Sequence, residues 1–292
     1  MNQLSLQALG TTWWIEIFDN TEEKKLDGAY GTIELFIRTF EDNYSRFKSD
    51  SQISILNRER VLHHPTAECR ALLTYGKSLY LRSHQTFNLL SAHLQVARGY
   101  DATYSFTPKE GSEEKMTCSP ILDLTIEDEK ISLICGSVDP GGFGKGYLID
   151  LVADELKKLG FEYFLINGGG DMYGTTNVGA PIEVYLEHPT EPGQYIASTH
   201  ILNQGFAASS PFKRQWYHEG KTYTHIISNT EVLPLASFVK AATARDADSF
   251  GTISLILDEP ALLELQKNDQ LEFARFNPET NQLWQTSGFN TL

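Results

Sequence analysis

The order of helix-like and strand-like segments in this 292-residue sequence predicts an α+β fold with mixed or antiparallel sheets and packed helices. Two amphipathic helices are predicted in the first third of the chain, whereas short strands cluster after residue 180. Between them, two glycine-rich loops are separated by one helix and one buried strand. Because no internal repeat divides the chain, we expect a single domain over residues 1–292, and two closely packed α/β subdomains would fit the same pattern.

The first third of the chain contains one predicted strand, two helices and a loop. Residues 11–19 (TTWWIEIFD) are aromatic and β-branched with partial alternation, which predicts a strand. Apolar residues at helical spacing from Ile33 to Phe40 predict the first helix, and a second is predicted to begin at Pro65 and Thr66. Residues 99–120 are polar and rich in turn formers, so we expect a surface loop there.

Strands, glycine loops and a helix alternate in the centre of the sequence. Residues 130–135 (KISLIC) predict a strand that leads into the glycine-rich stretch 139–150 (DPGGFGKGYLID). An apolar stripe then predicts a helix that ends at Gly160. A buried strand at residues 161–166 (FEYFLI) follows and leads into the second glycine loop, residues 167–174 (NGGGDMYG).

Short strands dominate the rest of the sequence. Helices early and strands late are the order typical of an α+β fold rather than of a doubly wound one. One further helix is predicted at residues 260–268 (PALLELQKN). The predicted strands are residues 182–188, 199–209, 223–228, 251–257 and 271–277.

The formal net charge of −14 argues against nucleic acid or an anionic membrane as the partner, since both attract clustered Lys and Arg. No apolar stretch reaches the ~20 residues of a membrane-spanning helix, so no span is expected. An anionic ligand would have to be held by local backbone N–H groups, a few cations or a metal ion. A specific pocket is therefore favoured.

The N-terminus and the cysteines predict the compartment and the redox state. The first residues lack a basic region, a long apolar run and a lipobox-type cysteine, so a cytoplasmic location is expected, or a periplasmic one if an export or lipoprotein signal was removed. Cys69, Cys118 and Cys135 are odd in number and far apart in sequence, which predicts three reduced and mostly buried thiols.

The glycine stretch 139–150 matches neither of two common phosphate-binding motifs. A P-loop requires Ser or Thr where Gly146 stands, and the dinucleotide motif requires a third glycine where Tyr147 stands. What remains is the N-terminus of a helix, with free N–H groups and Lys145 beside them, which would suit a phosphate. The alternative is a tight turn whose glycines are needed only for packing. Because a second glycine loop follows a buried strand, the two together favour a ligand pocket.

Three further side chains are candidates for site chemistry. Asp248 and Thr252 are four residues apart and would share a face if the backbone is helical, and their oxygen atoms suit Mg²⁺ or Ca²⁺. A solvated capping turn is the alternative. His225 lies in a predicted strand, where a structural histidine is the more common case.

Eight segments, taken in order, carry a similarity to one known family; they are ALGTTWWIEI, YSRFKSDSQISILN, TFNLLSAHL, DPGGFGKGYLID, FLINGGGDMYG, FAASSPFKR, YTHIIS and ADSFGT. Over about residues 9–257 they resemble the motifs of the ApbE family of FAD:protein FMN transferases. The resemblance rests on the order of these segments along the chain rather than on a single motif.

The resemblance implies a T-fold-like architecture and an enzyme that binds FAD with Mg²⁺, or alternatively Ca²⁺ or Mn²⁺. Such proteins cleave FAD, attach FMN to a threonine or serine of an acceptor flavoprotein, and release AMP. The metal ligands it implies are the carbonyl of Gly142 and the side chains of Asp248 and Thr252. It also places His225 next to the reacting phosphate. Since a base near the acceptor hydroxyl would raise its nucleophilicity, His225 is the candidate base, and Asp139 or Asp171 could share that task. The FAD-binding residues it implies are Leu9, Phe47, Thr86, Phe87, Asn88, Asp139, Lys145 and Ile227.

The chain departs from the family pattern at several positions. Asn88 stands where the family has aspartate, and Ala208 and Ser210 replace a threonine and a glycine. Residues 228–232 replace the family's DPxTG segment. Two alternatives to a transferase therefore remain open, an FAD pyrophosphatase that yields FMN and AMP, and a non-catalytic FAD-binding protein.

Overall fold

An eight-stranded antiparallel sheet forms the centre of the protein, seen in a computed structural model that describes residues 3–176 and 179–292. Each neighbouring pair of strands in this sheet is antiparallel, which agrees with the predicted α+β fold. From one edge to the other, its strands are β1 (Gln3–Ala8), β2 (Thr11–Ile17), β6 (Phe164–Gly168), β7 (Asp171–Thr175), β10 (Gln204–Ser209), β13 (Ala236–Ala241), β14 (Glu272–Asn277) and β15 (Gln282–Gln285).

The other strands form three small antiparallel sheets. One has three strands, in the order β3 (Val61–His63), β5 (Lys130–Leu133) and β4 (Leu124–Ile126). The two hairpins pair β8 (Ile182–Glu187) with β9 (Tyr195–Ile201), and β11 (Gln215–His218) with β12 (Lys221–Thr224).

The predicted early helices and the central helix are confirmed. The second predicted helix begins as expected, because the Thr66 hydroxyl accepts the N–H of Cys69. None of the helices in residues 3–176 and 179–292 has both the length and the apolar composition of a membrane span. The helices are α1 (Glu23–Tyr44), α2 (Gln52–Glu59), α3 (Ala67–Arg82), α4 (Ala92–Ala97), α5 (Pro120–Asp123), α6 (Gly144–Lys158), α7 (Ala244–Ile253) and α8 (Glu259–Asp269).

The core lies between the central sheet and the helices α1 and α6. Alternate residues of β2 are fully buried, with Trp13 and Ile15 pointing inward and Trp14 outward. On the facing helix, Ile33 and Ile37 are also fully buried. Burial of this apolar face, rather than helix propensity, holds α1 on the sheet.

Helices α6 and α7 pack so closely at Gly146 that no side chain fits there. A Cβ atom at Gly146 would lie 2.3 Å from the carbonyl oxygen of Ala244 and 2.7 Å from Cβ of Asp248. This close contact brings the start of α6 and the middle of α7 together, and both helices contribute to the site described below.

Replacement of Gly146 by Ala is expected to lower the free energy of unfolding by about 1–3 kcal/mol, because the added methyl must push α7 away. Urea unfolding would measure this loss. Gly144→Ala is the matched control in the same helix, since its Cβ would lie 3.6 Å from the nearest atom, an ordinary contact. Equal stabilities of the two variants would contradict the packing argument.

Three predicted strands differ from the structure. Residues 251–257 are not a strand, since α7 continues to Ile253 and turns follow; a short apolar run does not distinguish a strand from a buried helix end. Residues 199–209 form parts of two strands, β9 and β10, rather than one. Strand β12 ends at Thr224, so His225 lies just beyond it and not within a strand over residues 223–228 as predicted.

The prediction of three reduced thiols is wrong. Cys118 and Cys135 form a disulfide, with their Cα atoms 5.5 Å apart, and Cys69 is free and buried. The two cysteines are 17 positions apart, and the chain between them forms a helix and two strands that return it to the same place. Sequence spacing alone does not reveal this return.

Candidate active site

A cavity of about 930 Å³ brings together residues from distant parts of the chain. Twelve of the thirteen residues predicted for the site line it; the exception is Thr86, whose hydroxyl donates to the carbonyl of Ser83 at 2.6 Å. The predicted residues that line the cavity are Leu9, Phe47, Phe87, Asn88, Asp139, Gly142, Lys145, Asp171, His225, Ile227, Asp248 and Thr252.

Lys145 lies between two buried carboxylates at one end of the cavity. Its Nζ is 2.5 Å from Oδ2 of Asp171 and 3.1 Å from Oδ1 of Asp248. Each aspartate is only 2% exposed. Three segments supply this cluster, namely the first turn of α6, the start of β7 and the middle of α7. It therefore joins both glycine loops to α7.

The charges of the cluster shift one another's pKa values. Burial alone would lower the pKa of Lys145, but the adjacent carboxylates of Asp171 and Asp248 outweigh it and raise the pKa. Burial, followed by the negative charge of Asp248, raises the pKa of Asp171. Two carboxylates around one ammonium leave an excess negative charge, which favours a further cation.

The N–H groups at the start of α6 are less free than the sequence predicts. The N–H of Gly146 donates to Oδ2 of Asp248 at 2.9 Å, and that of Gly144 donates to the carbonyl of Pro140 at 2.6 Å. Asp248 thus caps α6 from a neighbouring helix. An anion at this end of the cavity would be held by Lys145 or a metal ion more than by these amides.

The donor set around Asp248 fits a hard divalent cation. Asp248 and Thr252 are both in α7, so their spacing does place them on one helical face. Gly142 lies next to them, since its added Cβ would be 4.0 Å from Cγ2 of Thr252. Carboxylate, hydroxyl and carbonyl oxygens are the ligands that Mg²⁺ and Ca²⁺ prefer.

Asp139 is held in an ion pair that the sequence analysis missed. Its Oδ1 lies 3.2 Å from Nε of Arg46 and accepts the N–H of Gly141 at 2.9 Å. Arg46 and Asp139 are 6% and 8% exposed, and the guanidinium lies 4.0 Å from the ring centroid of Phe47. The isolated arginine within YSRF gives no signal in the sequence that it pairs with a residue far along the chain.

Of the three candidate bases, His225 has the fewest ionic contacts. Asp139 and Asp171 each form an ion pair, whereas His225 forms none within the described residues. It is partly exposed, and the surrounding protein, together with the positive charge of Arg214, lowers its pKa to about 4. The imidazole is therefore neutral near pH 7.

A contact of the His225 ring with the backbone indicates its tautomer. Nδ1 lies 3.4 Å from the carbonyl oxygen of Arg214, and because a carbonyl only accepts, Nδ1 carries the hydrogen. Nε2 then keeps its lone pair. A neutral histidine with a free Nε2 is able to accept a proton.

Aromatic rings form another wall of the cavity. Phe47 and Tyr104 stack with centroids 5.6 Å apart, and Tyr100 contacts both Phe47 and Trp216. Such a wall suits a planar ring system. Residues 99–119 are a loop, as predicted, but Tyr100 and Tyr104 line the cavity, which their polar surroundings in the sequence did not indicate.

Fold and site together define a class of α+β protein in which one large cavity joins an aromatic wall to a buried cluster of one lysine and two aspartates. The model of the ApbE family matches residues 9–274. This chain belongs to the ApbE family.

The similar proteins agree with that assignment. A FAD:protein FMN transferase of Haemophilus influenzae is 24% identical, over 92% of this chain and 84% of the relative. One of Vibrio cholerae is 23% identical, over 92% of this chain and 85% of the relative.

Solved structures show the same fold. The ApbE protein of Thermotoga maritima aligns with a TM-score of 0.86 at 16% identity, covering 98% of this chain and 97% of that one. The flavin transferase ApbE from Vibrio cholerae aligns with a TM-score of 0.76 at 19% identity, covering 98% and 97%.

Proposed function

We propose that this chain is a Mg²⁺-dependent FAD:protein FMN transferase, which attaches FMN to a threonine or serine of an acceptor flavoprotein and releases AMP. The relatives named above support this activity. The observation that carries it is the buried cluster of Lys145, Asp171 and Asp248 at one end of a cavity with an aromatic wall. FAD contains both a diphosphate and a flavin ring, so its binding needs both the buried cluster and the aromatic wall.

The residues of the cluster would hold the diphosphate and its metal ion. Gly142, Asp248 and Thr252 would bind the cation, which when bound supplies charge neutralisation to the phosphate oxygens. Lys145 would bind a phosphate oxygen, since its ammonium remains charged. Asp171 would fix Lys145 through their ion pair.

His225 would act on the attacking hydroxyl. The hydroxyl oxygen bonds to the phosphorus of the FMN half, the bond from that phosphorus to the AMP oxygen breaks, and AMP leaves. The hydroxyl proton passes to Nε2 of His225, which is neutral beforehand. Asp139 serves less well as the base because Arg46 holds it.

Three products distinguish the candidate functions. The chain would be incubated with FAD, Mg²⁺ and an acceptor apoflavoprotein, and AMP, free FMN and protein-bound flavin would be measured. A transferase yields AMP and bound flavin in equal amounts. AMP with free FMN alone would indicate an FAD pyrophosphatase, and bound FAD without AMP would contradict both enzymes.

Chelation of divalent ions by EDTA is expected to lower AMP release by at least about 100-fold, because the metal contributes several kcal/mol to stabilising the transition state. Excess Mg²⁺ should restore the rate, and Ca²⁺ and Mn²⁺ added instead would rank the metals. AMP release that is unchanged by EDTA would remove the metal from the proposal.

The disulfide bears on the compartment in which this reaction takes place. Disulfides persist in oxidising compartments and are rare in the cytoplasm. The Cys118–Cys135 bond therefore supports the periplasmic alternative over the cytoplasmic one.

A further inference from the structure

The Cys118–Cys135 disulfide lies next to the cavity but has no part in the chemistry proposed above. Cys118 stands at the end of the cavity-lining loop 99–119 and is 5% exposed, whereas Cys135 follows β5 and is partly exposed. The bond therefore joins that loop to the segment that leads to Asp139.

Asn88 connects the disulfide to the cavity. Its Nδ2 donates to the carbonyl oxygen of Cys118 at 2.7 Å, and its Oδ1 accepts the N–H of Leu90 at 2.9 Å. The side chain is 7% exposed and lines the cavity. Only an amide makes both bonds, because a carboxylate has no hydrogen to donate to a carbonyl. This gives a physical reason for asparagine at a position where the family pattern has aspartate.

The other cysteine is tied to the same stretch of chain. Gly136 has a φ of 75°, and a Cβ there would lie 2.7 Å from the carbonyl oxygen of Leu90 and 3.2 Å from Sγ of Cys118. Ser137 then donates its N–H to Leu90 at 3.1 Å, and Asp139 donates its N–H to Leu89 at 2.8 Å. Both ends of the disulfide thus converge on residues 88–91.

The loop before Cys118 also holds the segment that follows His225. The N–H of Met116 donates to Oδ1 of Asn229 at 2.9 Å, and Nδ2 of Asn229 donates to the carbonyl of Met116 at 2.8 Å. Asn229 is two residues beyond Ile227, which lines the cavity. Three cavity segments therefore depend on where the disulfide fixes residues 116–118.

We propose that the Cys118–Cys135 disulfide is a positioning element, which acts through Asn88 to shape the FAD-binding cavity and makes FAD affinity depend on its oxidation state. The choice of FAD as the ligand rests on the proposed function. A site of this kind would reach full affinity only after the disulfide has formed in an oxidising compartment.

Reduction of the disulfide by a dithiol would remove this positioning of Asn88. One sulfur of the dithiol attacks Sγ of the partly exposed Cys135, and Cys118 leaves as a thiolate that takes up a proton. The second sulfur of the dithiol then displaces Cys135. Two electrons and two protons pass to the protein, and the dithiol becomes a cyclic disulfide.

The first test compares the oxidised chain with the chain treated with dithiothreitol. Thiol titration should rise from the single free cysteine to all three. The Kd for FAD, followed by flavin fluorescence, is expected to increase about tenfold, the change expected for one mispositioned buried hydrogen bond. Cys69→Ala should keep this response, and the double variant Cys118→Ala/Cys135→Ala should bind weakly and lose it.

Asn88→Asp distinguishes positioning from general stabilisation. In the oxidised chain it should weaken FAD binding about tenfold, whereas after reduction it should have little further effect, because the two changes remove the same contact. Equal effects of Asn88→Asp in both redox states, or an unchanged Kd with all three thiols titrated, would overturn the proposal.

Hydrogen exchange provides a readout that does not need FAD. The amides of Leu90, Ser137 and Asp139 should exchange faster after reduction, because their acceptors lie in the segments that the disulfide fixes. If the oxidised chain binds no FAD, the proposed function fails, yet the exchange rates still decide whether the disulfide orders these segments. Unchanged exchange rates would contradict the positioning role.

Discussion

Asp248→Asn is expected to lower metal-dependent AMP release by roughly 10³-fold, because a bound cation stabilises the transition state by several kcal/mol and each 1.4 kcal/mol is a factor of ten in rate. The amide of the asparagine still has an oxygen for the N–H of Gly146, which Asp248 now accepts at 2.9 Å. The fold and the start of α6 should therefore remain. Initial rates of AMP release across a range of Mg²⁺ concentrations would measure the loss.

Two further variants distinguish the loss of a metal ligand from the loss of a negative charge and from the loss of the acceptor that caps α6. Asp154→Asn removes an acidic charge from α6 at a side chain that is 65% exposed, and should leave the rate unchanged. Asp248→Ala removes the acceptor of the Gly146 N–H as well, which should lower the free energy of unfolding by about 1–3 kcal/mol. Full activity of Asp248→Asn would remove Asp248 from the metal site.

The central elements could be predicted from the sequence because their patterns are local. The stripe of α6 and the alternation of β2 follow from burial on one face, and both appear as periodicity in the chain. Asp248 and Thr252 belong to this group too, since four residues within a helix bring their side chains to one face. Local periodicity fails for residues 251–257, where an apolar run is buried at a helix end.

What the sequence left unpredicted depends on contacts between distant residues. The pair of Arg46 and Asp139 and the disulfide of Cys118 and Cys135 form only once the chain has folded back on itself. Neither has a spacing that identifies it in advance. The capping of α6 by Asp248 is of the same kind. It occupies an N–H group of the glycine stretch 139–150 that the sequence predicted to be free.

The occupied N–H groups at the start of α6 affect how the protein would bind phosphate. The glycines of the stretch 139–150 allow α6 and α7 to meet at Gly146, and two of the N–H groups expected for an anion are occupied. The positive charge for phosphates would therefore come from Lys145 and the metal. Lys145 is fixed by two carboxylates from other segments, which a motif search along the chain does not reveal.

His225→Asn is expected to lower kcat by roughly 10²–10⁴-fold, the usual contribution of a general base, while the Kd for FAD changes by less than about twofold. The asparagine keeps a hydrogen for the carbonyl of Arg214 but has no basic nitrogen. Single-turnover rates and flavin fluorescence would measure the two quantities separately. A large loss of FAD affinity with an unchanged kcat would instead assign His225 to binding.

The pH dependence of stability follows from the same residue. His225 has a pKa of about 4 in the folded chain, against about 6.5 for an unfolded histidine. The unfolded state therefore binds the proton first, so this contribution to stability is fully present above about pH 6.5 and is lost as the pH falls towards 4. His225→Asn lacks it, and the stability of the wild type relative to this variant should decrease over that range in urea unfolding.

A direct titration of the imidazole by NMR would test the cause. The lowered pKa comes from burial and the charge of Arg214, so Arg214→Gln should raise it towards the ordinary value while leaving the ring in place. If His225 titrates near 6.5 in the wild type, burial and the charge of Arg214 do not lower its pKa, and the expected loss of stability between about pH 6.5 and 4 would not occur.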